Sequence, residues 1–409
     1  MPAHKAWGQS DVEVIVVGSG PGGAATAIHL ARRGRRVLLL EGRDFARARP
    51  ADMRSGEVLS PGGQRELATL GLPCDGAGWR LTPFAIVRNH WHNGRVTYDP
   101  LPRGLAYWQT DRGQLDRALF ALARAEGVDA RDACRVGDLL RDATGAVRGV
   151  VTKPGPASDQ RSWRAPLVVD ASGRRSVILA RLGLKEPELA LRRIALALFF
   201  TDVPGCAPGV WEQHFFAAHN TTLRGSMMRP GLYRYSFETD LAYRDRVARR
   251  HGKLTPRAMA LAMLAELQPA LHERFAAAPA LPYTVAYAPI GYRVREIAHD
   301  GLVMVGDAAG YLDPSSGQGI EFALRMARLA AASIDRALAA DDYRAAAFAP
   351  YRDGRRRELD AAMRALRLYL RLSRQKPLLS LFSRLRPARA ALTRSLVTPA
   401  PHLCDADAR

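Results

Sequence analysis

Three glycines near the start of the chain have the spacing of a phosphate-binding turn. Gly18, Gly20 and Gly23 form the pattern G-x-G-x-x-G, and Glu41 ends the next apolar run. In such a turn the first glycine permits the tight bend, the second lets the backbone approach a pyrophosphate, and the third lets a helix pack closely on its strand. An acid about 20 residues further on accepts hydrogen bonds from a ribose hydroxyl. These residues predict a dinucleotide site with the phosphates at a helix N-terminus.

The segments around these residues have the composition of the elements that would position them. An apolar, β-branched run covers residues 11–17, an alanine-rich stretch of helical length covers 24–33, and a second apolar run covers 37–40. Strand, glycine turn, helix and strand make a βαβ unit of about 30 residues. The nucleotide-binding residues that this unit predicts are Gly18, Ser19, Gly20, Pro21, Gly22, Gly23, Ala24, Glu41, Gly42 and Arg43.

Three later segments carry further motifs. Arg112 begins the run Arg-Gly-Gln-Leu-Asp, which opens a helix predicted over residues 116–126. A short buried strand, 167–170, precedes Ala-Ser-Gly-Arg-Arg-Ser, and a strand that ends in Gly-Asp precedes the segment 314–320 and a helix to about residue 338. Because no internal repeat or low-complexity linker separates these segments, we expect interlaced domain boundaries.

In their order along the chain, these motifs resemble those of the FAD-dependent superfamily that contains p-hydroxybenzoate hydroxylase, flavin-dependent halogenases and geranylgeranyl reductases. The resemblance covers roughly residues 10–375 and rests on the glycine turn, the segment 170–176 and the segment 305–319. It implies FAD as cofactor, with NADH, NADPH or an external flavin reductase as the electron source. The hydroxylases carry an aspartate where this chain has Ser172, so an external reductase is a plausible donor.

The resemblance also implies roles for individual residues. Arg112 would lie beside the cofactor phosphates, and Asp307 would bind a hydroxyl of the ribityl or ribose portion. Gly317 and Gly319 would present backbone N–H groups to the pyrimidine edge, where a helix N-terminus stabilises the negative charge of reduced flavin. The cofactor-binding residues expected in this part of the chain are Arg112, Asp307, Pro314, Gly317, Gly319 and Ile320.

The fold class implied is α/β, with a Rossmann-like FAD-binding domain of three layers around a parallel sheet, an inserted mixed-sheet substrate domain and a helical C-terminal tail. The FAD-binding domain would comprise residues 10–80, 105–185 and 296–340. Residues 81–104 and 190–295 would form the substrate domain, in which strand-like, aromatic-rich runs surround a helical stretch from 256 to 275. Residues 341–409 would form the basic tail.

Two hairpins are also predicted. Residues 84–99 would turn at Asn93-Gly94 in a type I′ turn, and residues 136–153 would turn at Thr144-Gly145. His90 and His92 would share one face of the first hairpin, but no third ligand is evident, so we predict no metal site.

Two reactions fit the resemblance best. One is a monooxygenase that hydroxylates an aromatic or hydrophobic substrate through a flavin C4a-hydroperoxide, and the alternative is a geranylgeranyl-reductase-like ene reductase that saturates isoprenoid double bonds. A halogenase is disfavoured, since that branch uses a lysine downstream of Gly-Glu-x-x-x-Pro, and no lysine occurs here between Lys5 and Lys153. The Trp-x-Trp-x-Ile-Pro motif of halogenases is absent too. A flavin-binding regulator without activity is the non-enzyme alternative.

Aromatic residues of the central region are the candidates for the substrate pocket. His214 and Tyr235 are the candidate catalytic residues, with His214 as a proton donor. Tyr233, Tyr235 and Phe237 share one strand face because strand side chains alternate with period two. The full set of aromatic pocket candidates is Trp108, Trp211, Phe215, Tyr233, Tyr235 and Phe237.

The composition bounds partners and location. Sixty Lys and Arg residues stand against 40 Asp and Glu, and the formal net charge is +20, but no nucleic-acid-binding motif accompanies the charge. Four cysteines lie far apart, and no apolar stretch is long enough to cross a membrane, so a cytoplasmic protein is expected. The expected partners are a hydrophobic or aromatic small-molecule, carrier-bound or peptide substrate and a flavin reductase. Peripheral membrane contact stays open, because the basic tail has an apolar stripe at 359, 362, 363, 366 and 370.

Overall fold

The architecture is taken from a computed structural model of the 409-residue chain. The structure describes residues 12–47, 57–72, 79–155, 160–188, 192–216, 218–311, 313–372 and 374–390.

The described residues form strands and helices with the following bounds. The strands are β1 Val14–Val17, β2 Val37–Leu40, β3 Glu57–Leu59, β4 Arg80–Phe84, β5 Ile86–His90, β6 Val96–Pro100, β7 Tyr107–Thr110, β8 Asp129–Arg131, β9 Val136–Arg141, β10 Val147–Thr152, β11 Arg161–Arg164, β12 Leu167–Asp170, β13 Lys185–Pro187, β14 Arg193–Phe200, β15 Val210–Phe215, β16 Thr222–Arg229, β17 Leu232–Asp240, β18 Ala280–Ile290, β19 Tyr292–Val294, β20 Ala298–His299 and β21 Leu302–Met304. The helices are α1 Pro21–Ala31, α2 Pro61–Thr69, α3 Arg112–Ala125, α4 Val177–Leu182, α5 Leu241–His251, α6 Pro256–Leu267, α7 Pro269–Ala277, α8 Gly319–Ala339, α9 Ala349–Leu372 and α10 Lys376–Arg384.

A six-stranded sheet supports the nucleotide motifs. Its order is β20-β21-β12-β1-β2-β8, and β1 pairs in parallel with both β2 and β12, so that Val14 lies beside Val37 and Leu167. Every residue of β1, β2 and β12 is buried, as expected for parallel strands covered on both faces. Helices α1, α3 and α8 and the antiparallel sheet β11-β10-β9 contribute to the same core. The glycine turn, Asp170 and the residues after β21 therefore lie at the carboxyl ends of adjacent parallel strands.

A seven-stranded mixed sheet forms the second part of the molecule. Its order is β18-β14-β17-β16-β15-β5-β6, and only β5 and β15 pair in parallel. Helices α5, α6 and α7 pack on one face of this sheet around a core that includes Tyr235, Phe237 and Phe275. The opposite face is left for a cavity. The expected fold class is confirmed, while the residue bounds of the domains stay a prediction.

Several local expectations are corrected. The first hairpin exists as β5 and β6, but Asn93 has no positive φ, and Trp91 N–H donates to Arg95 O across a longer loop than a type I′ turn. Gly94 alone takes φ +79° there. His92, which was expected to share a strand face with His90, lies beyond the end of β5. Its Nε2 is 3.0 Å from Ser380 Oγ.

The helices differ from expectation at their ends. Helix α3 begins at Arg112, four residues earlier than predicted, because the side chain of Asp111 caps Gln114 N–H. The single helix predicted over 256–275 is two helices, since Pro269 cannot donate the hydrogen bond that would continue α6. The second hairpin, β9 and β10, is confirmed.

The described part of the basic tail, which ends at residue 390, is largely helical, as predicted, and its apolar stripe faces the protein. Leu359, Leu366 and Leu370 of α9 are 2–5% exposed, so this stripe is not available to a membrane. Of the helices described, none is long and apolar enough to cross a bilayer.

Candidate active site

A large cavity lined by the described residues joins the two parts of the molecule. It has a volume of about 1280 Å³ and runs from the glycine turn to the open face of the seven-stranded sheet. One drug-sized ligand typically occupies about 300–1000 Å³, so this cavity has room for a large cofactor and a further molecule. Cofactor-motif residues that line it are Gly18, Gly20, Pro21, Gly22, Glu41, Gly42, Arg43, Arg112, Asp307, Pro314, Gly317, Gly319 and Ile320.

The glycine turn has room only on its cavity side. A Cβ on Gly18, whose φ is +95°, would lie 2.7 Å from Ala171 O, and one on Gly23 would overlap Gly18 O. At Gly20, by contrast, the nearest atom to such a Cβ is Arg112 Nη2, at 3.8 Å. Gly18 and Gly23 therefore serve the close packing of strand and helix, while Gly20 keeps open the approach to the N-terminus of α1.

An alternating chain of charges follows the wall beside this turn. Arg43 lies between Glu41 and Asp116, at 3.0 and 2.9 Å, and Arg112 lies between Asp116 and Glu57, at 3.1 and 2.8 Å. Burial opposes the ionisation of Glu57, but the guanidiniums of Arg112, Arg234 and Arg174 together outweigh it and hold the pKa of this carboxyl below its usual range. This row of ion pairs holds Arg112 near Gly20, where its cationic side chain can reach a phosphate.

Glu41 is held in place by its own loop. Its Oε2 accepts hydrogen bonds from Ser19 N–H at 2.9 Å and from Ser19 Oγ at 2.7 Å, and its Oε1 accepts one from Arg43 N–H at 2.8 Å. Ser19, Gly23 and Ala24, which were expected to contact the nucleotide, do not line the cavity. Ser19 instead positions Glu41, which does line the cavity.

Asp307 and the start of α8 form the opposite end of the cofactor region. Burial raises the pKa of Asp307 to about 6, with Arg174 at 3.7 Å acting in the other direction. Gly317 takes φ +65° and Gly319 begins α8, so backbone N–H groups of this helix N-terminus face the cavity. The positive end of a helix dipole favours negative charge there.

Two buried arginines fix the loop before α8. Arg193 and Asp313, each 1% exposed, form an ion pair of 2.6 Å. Arg224 binds Glu238 at 3.0 Å and donates to Ser315 O at 3.2 Å. Strands β14, β16 and β17 of the large sheet therefore hold this loop in place, and no local sequence pattern predicts these links.

The substrate half of the cavity is lined by one face of the large sheet. Trp211 stacks on Phe84 with ring centroids 5.1 Å apart, and Trp91 stacks on Phe215 at 4.5 Å. The apolar and aromatic side chains of this wall include Ala195, Ala197, Phe199, Trp211 and Phe215 on β14 and β15, and polar residues of β15 to β17, among them Gln213, Arg224 and Glu238, line it as well. Of the aromatic residues expected here, Trp211 and Phe215 are in place, while Trp108 packs under Arg80 outside the cavity.

The two candidate catalytic residues lie on the other face. Residues 211, 213 and 215 of β15 line the cavity, so His214 is directed away from it. Tyr235 donates a hydrogen bond of 2.7 Å to Glu212 Oε2, also behind the sheet, and neither Tyr233 nor Phe237 reaches the cavity. The structure does not support His214 or Tyr235 as catalytic residues. On β17 the cavity residues are instead Arg234, Ser236 and Glu238.

A histidine and carboxylate cluster does exist behind the sheet. Potential ligand atoms of His90, Glu212 and His214 lie within 4.8 Å of one another. However, Arg88 and Arg274 engage the Glu212 carboxylate at 2.7 and 3.0 Å, and these two guanidiniums disfavour a metal cation. Burial alone would raise the pKa of Glu212, but hydrogen bonds from His214, His90 and Arg274 hold it far below its usual range. The cluster fits a structural ion-pair network.

The comparisons with known proteins agree with this geometry. A family model described as the FAD binding domain matches residues 11–355. The chain is 26% identical over 350 residues to a 1H-pyrrole-2-carbonyl-(peptidyl-carrier protein) brominase of Pseudoalteromonas luteoviolacea, with 83% of this chain and 81% of the relative covered. It is 24% identical over 409 residues to the corresponding chlorinase of Pseudomonas fluorescens, with 89% and 84% covered.

A solved structure shows the same fold. The flavin-dependent brominase Bmp2 superposes with a TM-score of 0.79 at 22% identity, covering 94% of this chain and 93% of that one. The brominase, the chlorinase and Bmp2 are all halogenases. The sequence motifs had disfavoured that branch for this chain.

Proposed function

Since this chain belongs to the FAD binding domain family and is an FAD-dependent oxidoreductase, we propose that it is a monooxygenase that hydroxylates an aromatic acyl group presented by a carrier protein. The observation that carries the proposal is the continuous cavity between the glycine turn and a partly aromatic sheet face, which none of the described lysines lines.

The described residues fit FAD. Gly20 and Arg112 would hold the pyrophosphate, Glu41 the adenosine ribose, and Asp307 a hydroxyl of the ribityl or ribose portion. The start of α8, at Gly319, would face the pyrimidine edge. When bound, the flavin supplies the two-electron and oxygen chemistry. The protein would bind the flavin and the substrate, orient them towards each other and exclude water.

The aromatic wall supports the choice of substrate. The Trp211 and Phe84 stack and the Trp91 and Phe215 stack offer ring faces to a planar group, and aromatic contacts contribute about 0.5–1.5 kcal/mol beyond the area they bury. Delivery by a carrier is supported by the two relatives named above, whose names describe a pyrrole-carbonyl group on a peptidyl-carrier protein.

The absence of a cationic amine distinguishes hydroxylation from halogenation. Among the lysines described, only Lys153 lines the cavity, and its backbone N–H donates to Arg135 O beside Gly42, at the nucleotide end. The halogenase branch that the sequence resembles uses a lysine near its substrate. Without one, we expect oxygen transfer directly to the substrate.

A second candidate is ene reduction. Ala195, Ala197 and Phe199 form an apolar floor in the cavity, and Leu366 of α9 closes it from the tail side. Such a surface would also accommodate an isoprenoid chain, for which the flavin supplies a hydride.

Product mass separates these functions. The FAD-loaded protein would be reduced anaerobically with dithionite, mixed with aryl thioesters on a holo carrier protein, and exposed to oxygen with bromide and chloride present. Hydroxylation predicts a product that gains one oxygen atom and forms only with oxygen. A halogenated product, or a product two hydrogens heavier formed without oxygen, would contradict the proposal.

We further propose an external flavin reductase as the electron donor. Ser172, which stands where the hydroxylases have an aspartate, lines the cavity without a negative charge, and its N–H and Oγ donate to Asp170 Oδ1 at 3.1 and 2.6 Å. We therefore expect NADPH to bleach the flavin slowly and an added reductase to bleach it fast. Rapid bleaching by NADPH alone would contradict this.

A further inference from the structure

The outer face of α10 is an exposed apolar stripe with basic edges. Leu378, Leu381 and Leu385 recur at helical spacing, and they are 44%, 52% and 43% exposed. Lys376, Arg384 and Arg386 are exposed beside them. We call these six residues the α10 platform. Contiguous exposed apolar side chains rimmed by polar residues mark interaction surfaces.

The inner face of the same helix forms part of the cavity wall. Leu379 and Phe382 pack with Trp91 and Phe215 of the large sheet, and Phe382 lines the cavity itself. A partner bound to the α10 platform would therefore be one helix thickness away from the substrate half of the cavity, within reach of a flexible tethered group.

The end of the helix is anchored rather than loose. Arg389, which is 7% exposed, binds Asp99 at 3.0 Å and donates to Ser383 O at 2.7 Å. Asn89 donates to the same Asp99 carboxylate at 2.8 Å. The α10 platform thus has a fixed position relative to the cavity.

The segment that carries the α10 platform is strongly basic. Residues 364–389 contain eight Lys and Arg, and no Asp or Glu occurs from 361 to 404. Arg367, Arg374 and Arg389 pair with acids of other elements, whereas Lys376, Arg384 and Arg386 are exposed on the platform. This local excess of positive charge attracts an acidic partner and speeds its association at low salt. The leucines in its centre require apolar side chains on that partner.

We propose that the α10 platform docks an acidic, amphipathic helix of the carrier protein that delivers the acyl substrate. This inference rests on the proposed function, in which the substrate is carrier-bound. The carrier's prosthetic arm would enter the cavity past Phe382, while the leucines bury the apolar side of its helix and the arginines pair with its carboxylates.

A protein partner fits the α10 platform better than a lipid surface does. Membrane binding by an interfacial helix scales with the apolar area that it inserts, and α10 has only nine residues. Two of its apolar side chains, Leu379 and Phe382, are already packed against the sheet. The three exposed leucines of the α10 platform form an apolar area that suits contact with one helix of a partner.

Charge reversal tests the docking. In the FAD-loaded full chain, Arg384→Glu with Arg386→Glu should raise KM for the carrier-bound thioester by about tenfold or more and reduce its salt dependence. The same acyl group on free pantetheine should be turned over with unchanged kcat/KM. Leu381→Ser should raise the same KM without changing the salt dependence. The matched control, Arg65→Glu with Arg249→Glu, makes the same charge change at exposed positions on α2 and α5 and should leave KM near wild type.

A binding measurement keeps this test independent of the reaction. The fluorescence anisotropy of a labelled, acidic holo peptidyl-carrier protein should show binding to wild type and to the control, and weakened binding to the charge-reversed and leucine variants. If both thioesters fail to react but this pattern holds, the proposed reaction fails and the docking stands. An absence of carrier binding, equal binding by all variants, or binding only to vesicles of phosphatidylglycerol would overturn the docking.

Discussion

Replacing Gly20 with alanine tests the position of the cofactor phosphates without disturbing the apoprotein. A Cβ at this position would have only Arg112 Nη2 within 4 Å, and the φ of −64° is allowed for any residue. The cost to apoprotein stability should therefore be about 1 kcal/mol or less, the price of a poorer helix N-cap. The added methyl group would instead occupy the space that a pyrophosphate approaches.

The expected loss is large enough to measure. A hydrogen bond from a backbone N–H to a charged group contributes about 1.5–3 kcal/mol. Losing one at Gly20 should raise the Kd for FAD about 10- to 150-fold. Titration of apoprotein with FAD, followed by quenching of flavin fluorescence, gives the Kd, and urea unfolding of the apoprotein gives its stability.

Gly23→Ala is the matched control, since the same methyl group would overlap Gly18 O and meet Ala171 Cβ at 3.0 Å. Overpacking of this kind costs about 1–3 kcal/mol or more, so this variant should lose stability even without FAD. If Gly20→Ala binds FAD within about twofold of wild type, the phosphates do not lie at this turn.

Further predictions concern the groups that hold the two sheets and their ion pairs in place. Arg193→Met would leave the Asp313 carboxylate buried without its partner and should lower the free energy of unfolding by about 3–5 kcal/mol; a loss below about 1 kcal/mol in urea unfolding would show that the pair is dispensable. Because the pKa of Glu212 is depressed in the folded state, its ionised form stabilises the fold above the ordinary carboxyl pKa of about 4.3, and this contribution disappears as the pH falls below that value. Glu212→Gln should therefore flatten the fall in unfolding free energy on the acid side, and an unchanged pH slope would refute the depressed pKa. We also expect no stoichiometric zinc or nickel in protein dialysed against either metal, and a bound equivalent that His214→Ala removes would establish the metal site that the ion pairs disfavour.

The residues of the nucleotide site were predictable because each motif is a short run with a local backbone requirement. Gly18 needs its positive φ and Gly20 its missing side chain for reasons that the glycine turn itself contains. The run that begins at Arg112 and the Gly306-Asp307 pair lie at element boundaries that turn and strand patterns reveal. Apolar runs similarly predicted β1, β2, β12 and β21, since parallel strands buried on both faces are continuously apolar, whereas β16 and β18 were not predicted.

The side of the large sheet that faces the cavity could not be predicted. Alternation with period two assigns residues to two faces of the sheet. It does not say which of the two faces the helices cover and which one lines the cavity. His214 and Tyr235 were chosen as catalytic residues by type, and they lie behind the sheet because α5 to α7 pack there. The turn after β5 and the break at Pro269 escaped prediction for a smaller reason, because several local conformations suit the same residues.

The sequence by itself determined the βαβ unit, predicted the residues of the FAD site and showed that no lysine occurs between Lys5 and Lys153. Only the tertiary structure decided which residues share the substrate cavity, how Arg193 reaches Asp313 across 120 residues, and that α10 has one face in the cavity wall and the other in solvent. The physical reason is the separation along the chain between the residues that interact. Backbone conformation and helix capping depend on neighbours within a few residues, whereas ion pairs and cavity walls depend on which distant surfaces the hydrophobic cores bring together.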